Sequence, residues 1–308
     1  MTCIADIAAD YLATRRAMGY KLVEDSRLLT HFVAFLEAEG AEHLTVSDAL
    51  AWAEQPPGAA RVWWAAKLRV VRGFARYLLA FDPATEVPPA RLLREPSHRV
   101  VPHIYSDEEV RRLMAAAGRL ANDHRADTYR TVVGLLAVTG MRVGEVARLD
   151  QEDVDLDQGL LTVRGSKFGK SRQLPVHATT VEALAGYASR RDRRRPVPKS
   201  PSFFTSSTGT RLLRDNMSTV GPLLVRDAGL VGSGGRPTPR LHDLRHTFAV
   251  RCLVGWYRAG LDVEQRLPVL STYLGHVAPS TTYWYLTAVP ELLEIVAERL
   301  DGLWEAGR

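Results

Sequence analysis

Cysteine is nearly absent: the 308 residues contain two, Cys3 and Cys252. That excludes a disulfide framework and a paired-cysteine metal knuckle, and both read as reduced, cytosolic thiols. Long hydrophobic runs are also missing. The best, residues 132–138, contains Gly134 and falls far short of the roughly 20 apolar residues that span a bilayer. Asp6 and Asp10 interrupt any basic-then-apolar leader. No repeat of fixed period is visible. Apolar residues are not lacking, at 46%, and charged residues make up 24%, which argues against disorder. Secreted, membrane and disulfide-rich classes are thereby set aside. Strong charge of one sign is lacking too, since the net is +5, but its distribution is uneven. Residues 1–100 hold 12 basic and 12 acidic side chains, whereas residues 101–286 carry a net +8. A basic centre behind a neutral front suits a polyanionic partner.

The chain is long enough for two domains. Residues 1–84 read as an all-α bundle. One helix runs over 4–18. A second is capped by Asp25 or Ser26 and carries Leu28, Leu29, Phe32, Val33 and Leu36 at helical spacing. A third starts at Thr45 or Ser47. A fourth, over 59–81, sets Trp63, Trp64, Val70, Val71, Phe74 and Leu78 against Arg61, Lys67, Arg69, Arg72 and Arg76, predicting one packed face and one basic face. Residues 85–104 are proline-rich and read as a linker. A second domain, 105–308, begins where Ser106 and Glu109 offer a capping box. Its pattern is one helix over 128–149, a hairpin within 154–176, a helix over 181–191, an arginine run at 190–195, and helices from 243 onward. The fold class is therefore mainly α with a small β-hairpin sheet.

Four stretches carry chemistry. In Thr139-Gly140-Met141-Arg142-Val143-Gly144-Glu145, an arginine among apolar neighbours needs either an anion or an ion pair. A phosphate fits its planar fork, and Glu145, three residues on, offers a structural partner. In Gly165-Ser166-Lys167-Phe168-Gly169-Lys170-Ser171-Arg172, lysines at a hairpin tip either reach a phosphodiester or keep the tip solvated. In His242-Asp243-Leu244-Arg245-His246, helical spacing puts His242 and Arg245 on one face. His242 and His246 have metal-pair spacing, but no cysteine or acid cluster completes a shell. Finally, Leu274-Gly275-His276 is followed by Thr281-Thr282-Tyr283-Trp284-Tyr285, whose two tyrosines point apart if helical.

The order arginine, hairpin lysine, His-x-x-Arg, histidine, tyrosine across residues 142–285 resembles the tyrosine recombinase (phage integrase) family, and the likeness extends over the whole second domain. The helical first domain resembles that family's core-binding domain. The resemblance implies a site-specific DNA recombinase that cleaves and rejoins strands through a 3′-phosphotyrosyl link, without metal or cofactor. It implies Arg142, Lys167, His242, Arg245, His276 and Tyr285 as the catalytic set, with Glu145 behind them orienting an arginine or histidine. Tyr285 is preferred over Tyr283 because it stands nine residues after His276, the family spacing. Lys167 is preferred over Lys170 when the hairpin is anchored on Pro175.

Arg69, Arg72, Arg76, Lys170 and Arg172 are the expected DNA contacts, and the 190–195 run could add phosphate contacts or be a solvated face. Two domains and a linker imply a clamp around duplex DNA carrying inverted-repeat recombination sites. The apolar stripe Leu292, Leu293, Ile295, Val296, Leu300 and Leu303 implies a C-terminal helix docking a neighbour in a homo- or hetero-tetramer, or else its own domain. No arm-binding domain is expected ahead of the first helix. The Tyr-Trp-Tyr-Leu-Thr run favours a mobile-element recombinase, cytoplasmic and nucleoid-associated. The competing readings are a catalytically silent DNA-binding accessory protein and a type IB topoisomerase.

Overall fold

The computed structural model describes residues 3–93, 101–165, 171–232 and 238–275. The chain divides into two compact units, Met1–Arg99 and Val100–Arg308.

The first unit holds four helices: α1 (Ile4–Ala17), α2 (Val23–Ala38), α3 (Val46–Ala53) and α4 (Arg61–Leu78). The i, i+3, i+4 spacing of Leu28, Leu29, Phe32, Val33 and Leu36 turns one face of α2 inward, onto Leu68, Val71, Phe74 and Leu78 of α4. Thr45 caps α3 in a capping box with Asp48, as the spacing predicts. Helix α2 starts earlier than expected. Leu22 takes a left-handed φ of 44° and caps it, so Asp25 and Ser26 lie inside the first turn.

The basic face of α4 is narrower than its sequence suggests. Lys67 is buried, with Nζ 4.0 Å over the Trp52 ring and donating to the Trp52 and Gln55 carbonyls. Arg72 donates to the Pro88 and Pro89 carbonyls. Arg72 is thus spent on the chain itself, while Arg69 and Arg76 remain at the surface. Residues 85–93, expected as linker, pack onto this unit. Thr85 and Leu93 are buried, and Glu86 binds the Leu44 carbonyl and the Val46 N–H.

The second unit is mainly helical around a small antiparallel sheet, as expected. Its elements are α5 (Asp107–Gly118), α6 (Asp123–Thr139), α7 (Val143–Arg148), a 3-10 turn at Gln151–Asp153, β1 (Val154–Asp155), β2 (Leu160–Val163), β3 (Arg172–Pro175), α8 (Ala178–Arg194), α9 (Arg214–Asp227), α10 (Asp243–Arg258) and α11 (Val263–Leu274). Ser106 and Glu109 do form the predicted capping box at α5. Helix α6 is the centre, with α5, α8 and α10 packed along it. In the sheet Leu161 faces Leu174, and Val163 faces Arg172. Strand alternation therefore puts Arg172 on the same inward face as buried Leu161, Val163 and Leu174.

Three expectations change here. The single helix over 128–149 is two helices, α6 and α7, separated at Gly140, whose φ of +60° is left-handed. Helix α9 has no counterpart in the sequence reading, because Pro222 inside it breaks the usual pattern. The arginine run at the end of α8 is drawn into contacts within the chain. Arg190 and Arg194 bind Asp127, buried Arg191 donates to the Phe203 carbonyl, Arg193 binds Ser189, and Arg195 binds the Ser207 carbonyl.

Candidate active site

Two arginines far apart in the chain meet on one piece of backbone. Gly140 ends α6 and turns the chain so that Arg142 becomes the N-cap of α7 rather than a residue on a continuous helix. The turn tolerates no side chain, since a Cβ at Gly140 would lie 2.6 Å from the Phe248 ring. Arg142 donates through Nη1 to Glu145 Oε1 at 2.9 Å and through Nη2 to the Gly275 carbonyl at 3.0 Å. Arg245, in the first turn of α10 and only 3% exposed, donates to the carbonyls of Gly140 and Leu274, each at 2.8 Å. Both arginines therefore end against the last carbonyls of α11, where the helix dipole favours cations. Gly275, with a φ of 70°, closes that helix immediately before His276.

Glu145 is buried and receives more than Arg142. The Arg172 guanidinium places Nη1 and Nη2 on its two oxygens at 3.2 and 2.9 Å, and the Arg142 backbone N–H adds a third donor. Burial would raise this carboxyl. The Arg172 hydrogen bonds, the Arg142 N–H and both positive charges outweigh it and hold the group at about 2. Glu145 is therefore a carboxylate at any working pH, and the structural ion pair expected between Arg142 and Glu145 is formed. Arg172 was expected to contact DNA. Its side chain is only 10% exposed, and Nε is also committed to the Tyr273 carbonyl at 2.7 Å.

His242 precedes α10 and opens onto a cleft of about 590 Å³ lined by Arg142, Gly144, Arg148, Arg214, Arg240 and His242. Desolvation, with the Arg245 charge next, lowers its pKa. His246, whose ring lies edge-on at 5.2 Å, is lowered to about 4, chiefly by burial and then by His242. Both imidazoles are accordingly neutral at pH 7. Among the described residues no group of three or more His, Cys, Asp or Glu is placed to hold a metal ion. Such a cleft, walled by guanidiniums with a neutral imidazole at its mouth, can bind a phosphodiester and accept a proton beside it.

Sequence reasoning missed Arg148 and Arg214. Arg148 sits six residues after Arg142 and was readable as a second cation of that box. Arg214 opens the unanticipated α9. Lys167, Lys170, His276, Tyr283 and Tyr285 lie outside the described residues, as does the C-terminal apolar stripe.

The phage integrase family profile matches residues 104–291. An integrase/recombinase of Sinorhizobium fredii, y4rB, is 44% identical over 311 residues, covering 99% of each chain. The tyrosine recombinase XerA of Pyrococcus furiosus is 30% identical over 300 residues, covering 90% of this chain and 95% of its own. Among solved structures, the Tn1549 transposon integrase in complex with a circular intermediate DNA superposes with a TM-score of 0.63 at 16% identity, over 96% of this chain and 99% of that one.

Proposed function

The chain belongs to the phage integrase family and is a tyrosine-type site-specific DNA recombinase, and from that premise we propose how its residues divide the reaction. Arg142 and Arg245 clamp the non-bridging oxygens of the scissile phosphate. Tyr285 attacks phosphorus and forms the 3′-phosphotyrosyl bond as the bond to the 5′-oxygen breaks. Lys167 gives the departing 5′-oxygen its proton. The phenol, with a pKa near 10, is a poor nucleophile at pH 7 and gives its proton to His242. The bond energy is retained, so a second 5′-hydroxyl reverses the step. His276 donates to a non-bridging oxygen. Glu145 keeps Arg142 aimed.

The observation that carries this reading is the convergence of Arg142 and Arg245 on the end of α11, the point from which the chain runs on to His276 and Tyr285. The recombinase relatives favour neither the silent accessory protein nor the topoisomerase alternative. The test is a nicked suicide substrate carrying the element's inverted repeats, incubated with excess chelator and run on a denaturing gel. A protein–DNA adduct is expected. None with any substrate, or one that appears only with added metal, overturns the proposal.

We further propose that the first unit and the surface arginines Arg69 and Arg76 contribute backbone contacts to duplex DNA, as do Arg148 and Arg214. The substrate we propose is mobile-element DNA, in the cytoplasm and on the nucleoid. The working form is proposed to be a tetramer on DNA held by the C-terminal helix. Deleting residues from Pro290 onward is then expected to impair recombination more than single-site binding; equal loss of both argues that the helix docks on its own domain. Among the described residues no helix is long and apolar enough to cross a membrane.

A further inference from the structure

Three successive carbonyls at the end of α11 are each held by a different guanidinium. Arg172 takes Tyr273, Arg245 takes Leu274 and Arg142 takes Gly275. Two of these arginines are the proposed phosphate clamp. The third, Arg172, comes from β3, two residues beyond Lys170 and five beyond Lys167. Its inward orientation follows from the strand's alternation, and its fork is bidentate on Glu145. Glu145 in turn holds Arg142. The chain also turns directly over this guanidinium, since a Cβ on Gly275 would sit 2.8 Å from Arg172 Nη1.

We propose that Arg172 is a positioning residue: it braces β3, the strand that follows the general-acid hairpin, against both Glu145 and the end of α11, and so keeps Arg142, β3 and the end of α11 in one geometry. The inference rests on the proposed division of the reaction. It assigns Arg172 no contact with DNA, which separates it from the expectation that a basic residue beside a hairpin tip binds the backbone.

The groups that face Glu145 define the pH argument. Arg142 and Arg172 touch it, Arg148, Arg214, Arg240 and His242 share one cleft with it, and Asp150, Asp153, Arg164 and Arg211 share a second. The Arg172 hydrogen bond is the largest influence lowering Glu145. Without it the carboxyl moves back up.

The experiment uses the full chain and the nicked substrate, comparing Arg172→Ala, Arg172→Lys, Glu145→Gln and the Arg172→Ala/Glu145→Gln double variant. Wild-type adduct formation is the control, and its absence indicts the underlying reading of the reaction rather than the brace. For Arg172→Ala, the single-turnover rate at saturating DNA is expected to fall about a hundredfold, the scale of an ångström-sized misplacement, with Kd within about twofold because no phosphate contact is lost. Arg172→Lys is expected to recover only part of the rate, since an ammonium cannot form the fork. The acid limb of the pH–rate profile is expected to move up in Arg172→Ala and to lose that movement in the double variant. The double variant is expected to cost no more than the worse single, the mark of two residues acting as one unit. If Arg172→Ala does not fold, Arg172→Lys carries the same readings. A Kd weakened tenfold or more with the saturated rate intact would overturn the inference in favour of a DNA contact. Additive losses with an unmoved pH profile would overturn it as well.

Discussion

Tyr285→Phe is expected to leave no covalent protein–DNA species while binding the recombination site within about twofold of the unaltered protein, because salt-sensitive phosphate contacts made by cations dominate such affinity. In the proposed reaction the Tyr285 phenol oxygen becomes part of the new phosphodiester, so its loss is expected to be absolute rather than graded. Every other member of the proposed set stabilises charge or moves a proton and leaves residual rate when removed. The measurement pairs a denaturing gel on the nicked substrate with fluorescence anisotropy on an intact one. Tyr283→Phe serves as the internal comparison, since the two tyrosines stand two residues apart and cannot share a helix face. An adduct that survives in Tyr285→Phe but disappears in Tyr283→Phe transfers the nucleophile to the other ring.

Replacing either clamp arginine is the next largest effect. Arg142→Ala and Arg245→Ala are each expected to slow cleavage by about 10²–10³-fold, equivalent to roughly 3–4 kcal/mol of transition-state stabilisation, because fixed donors aimed at developing charge commonly contribute on that scale. The two differ in what they do to folding. Arg245 is 3% exposed and supplies the donors for the Gly140 and Leu274 carbonyls. Removing it strands two polar atoms in the interior, at about 1–3 kcal/mol each. The Arg142 side chain is 32% exposed, and Arg172 continues to neutralise Glu145 when Arg142 is gone. Urea unfolding should therefore show a clear loss for Arg245→Ala and a much smaller one for Arg142→Ala. Equal losses would contradict the division between a buried and a cleft-facing guanidinium.

The order of chemical boxes made the reaction class readable from residues 142–285 alone, and the caps at Thr45 and Ser106 are local rules that the fold obeys. What stayed hidden is where charges point. Lys67, Arg72, Arg172 and the run at 190–195 are all basic residues in places where a solvated or DNA-facing role reads naturally, yet carbonyls or carboxylates inside the protein occupy several of them. A positive charge in a sequence carries no direction; only its neighbours on the same face do. For Arg172 that clue was present in the pattern Arg172, Gln173, Leu174, where Leu174 is the core residue two positions away. The break between α6 and α7 was harder to see, because a glycine inside an apolar helical stretch is compatible with either a continuous helix or a left-handed cap. The close approach of Phe248, more than a hundred residues downstream, decides it. Helix α9 was missed because proline is read as punctuation, whereas Pro222 is accommodated within the helix.

The three guanidiniums resting on the last carbonyls of α11 have a thermodynamic corollary. A free arginine side chain surrenders up to about 2 kcal/mol of rotamer entropy when it is immobilised. Here that loss is incurred once, as the chain folds, and not again at each encounter with DNA. In the proposed reaction an arriving phosphate finds Arg142 and Arg245 already still, while Arg172 keeps the acceptors it holds.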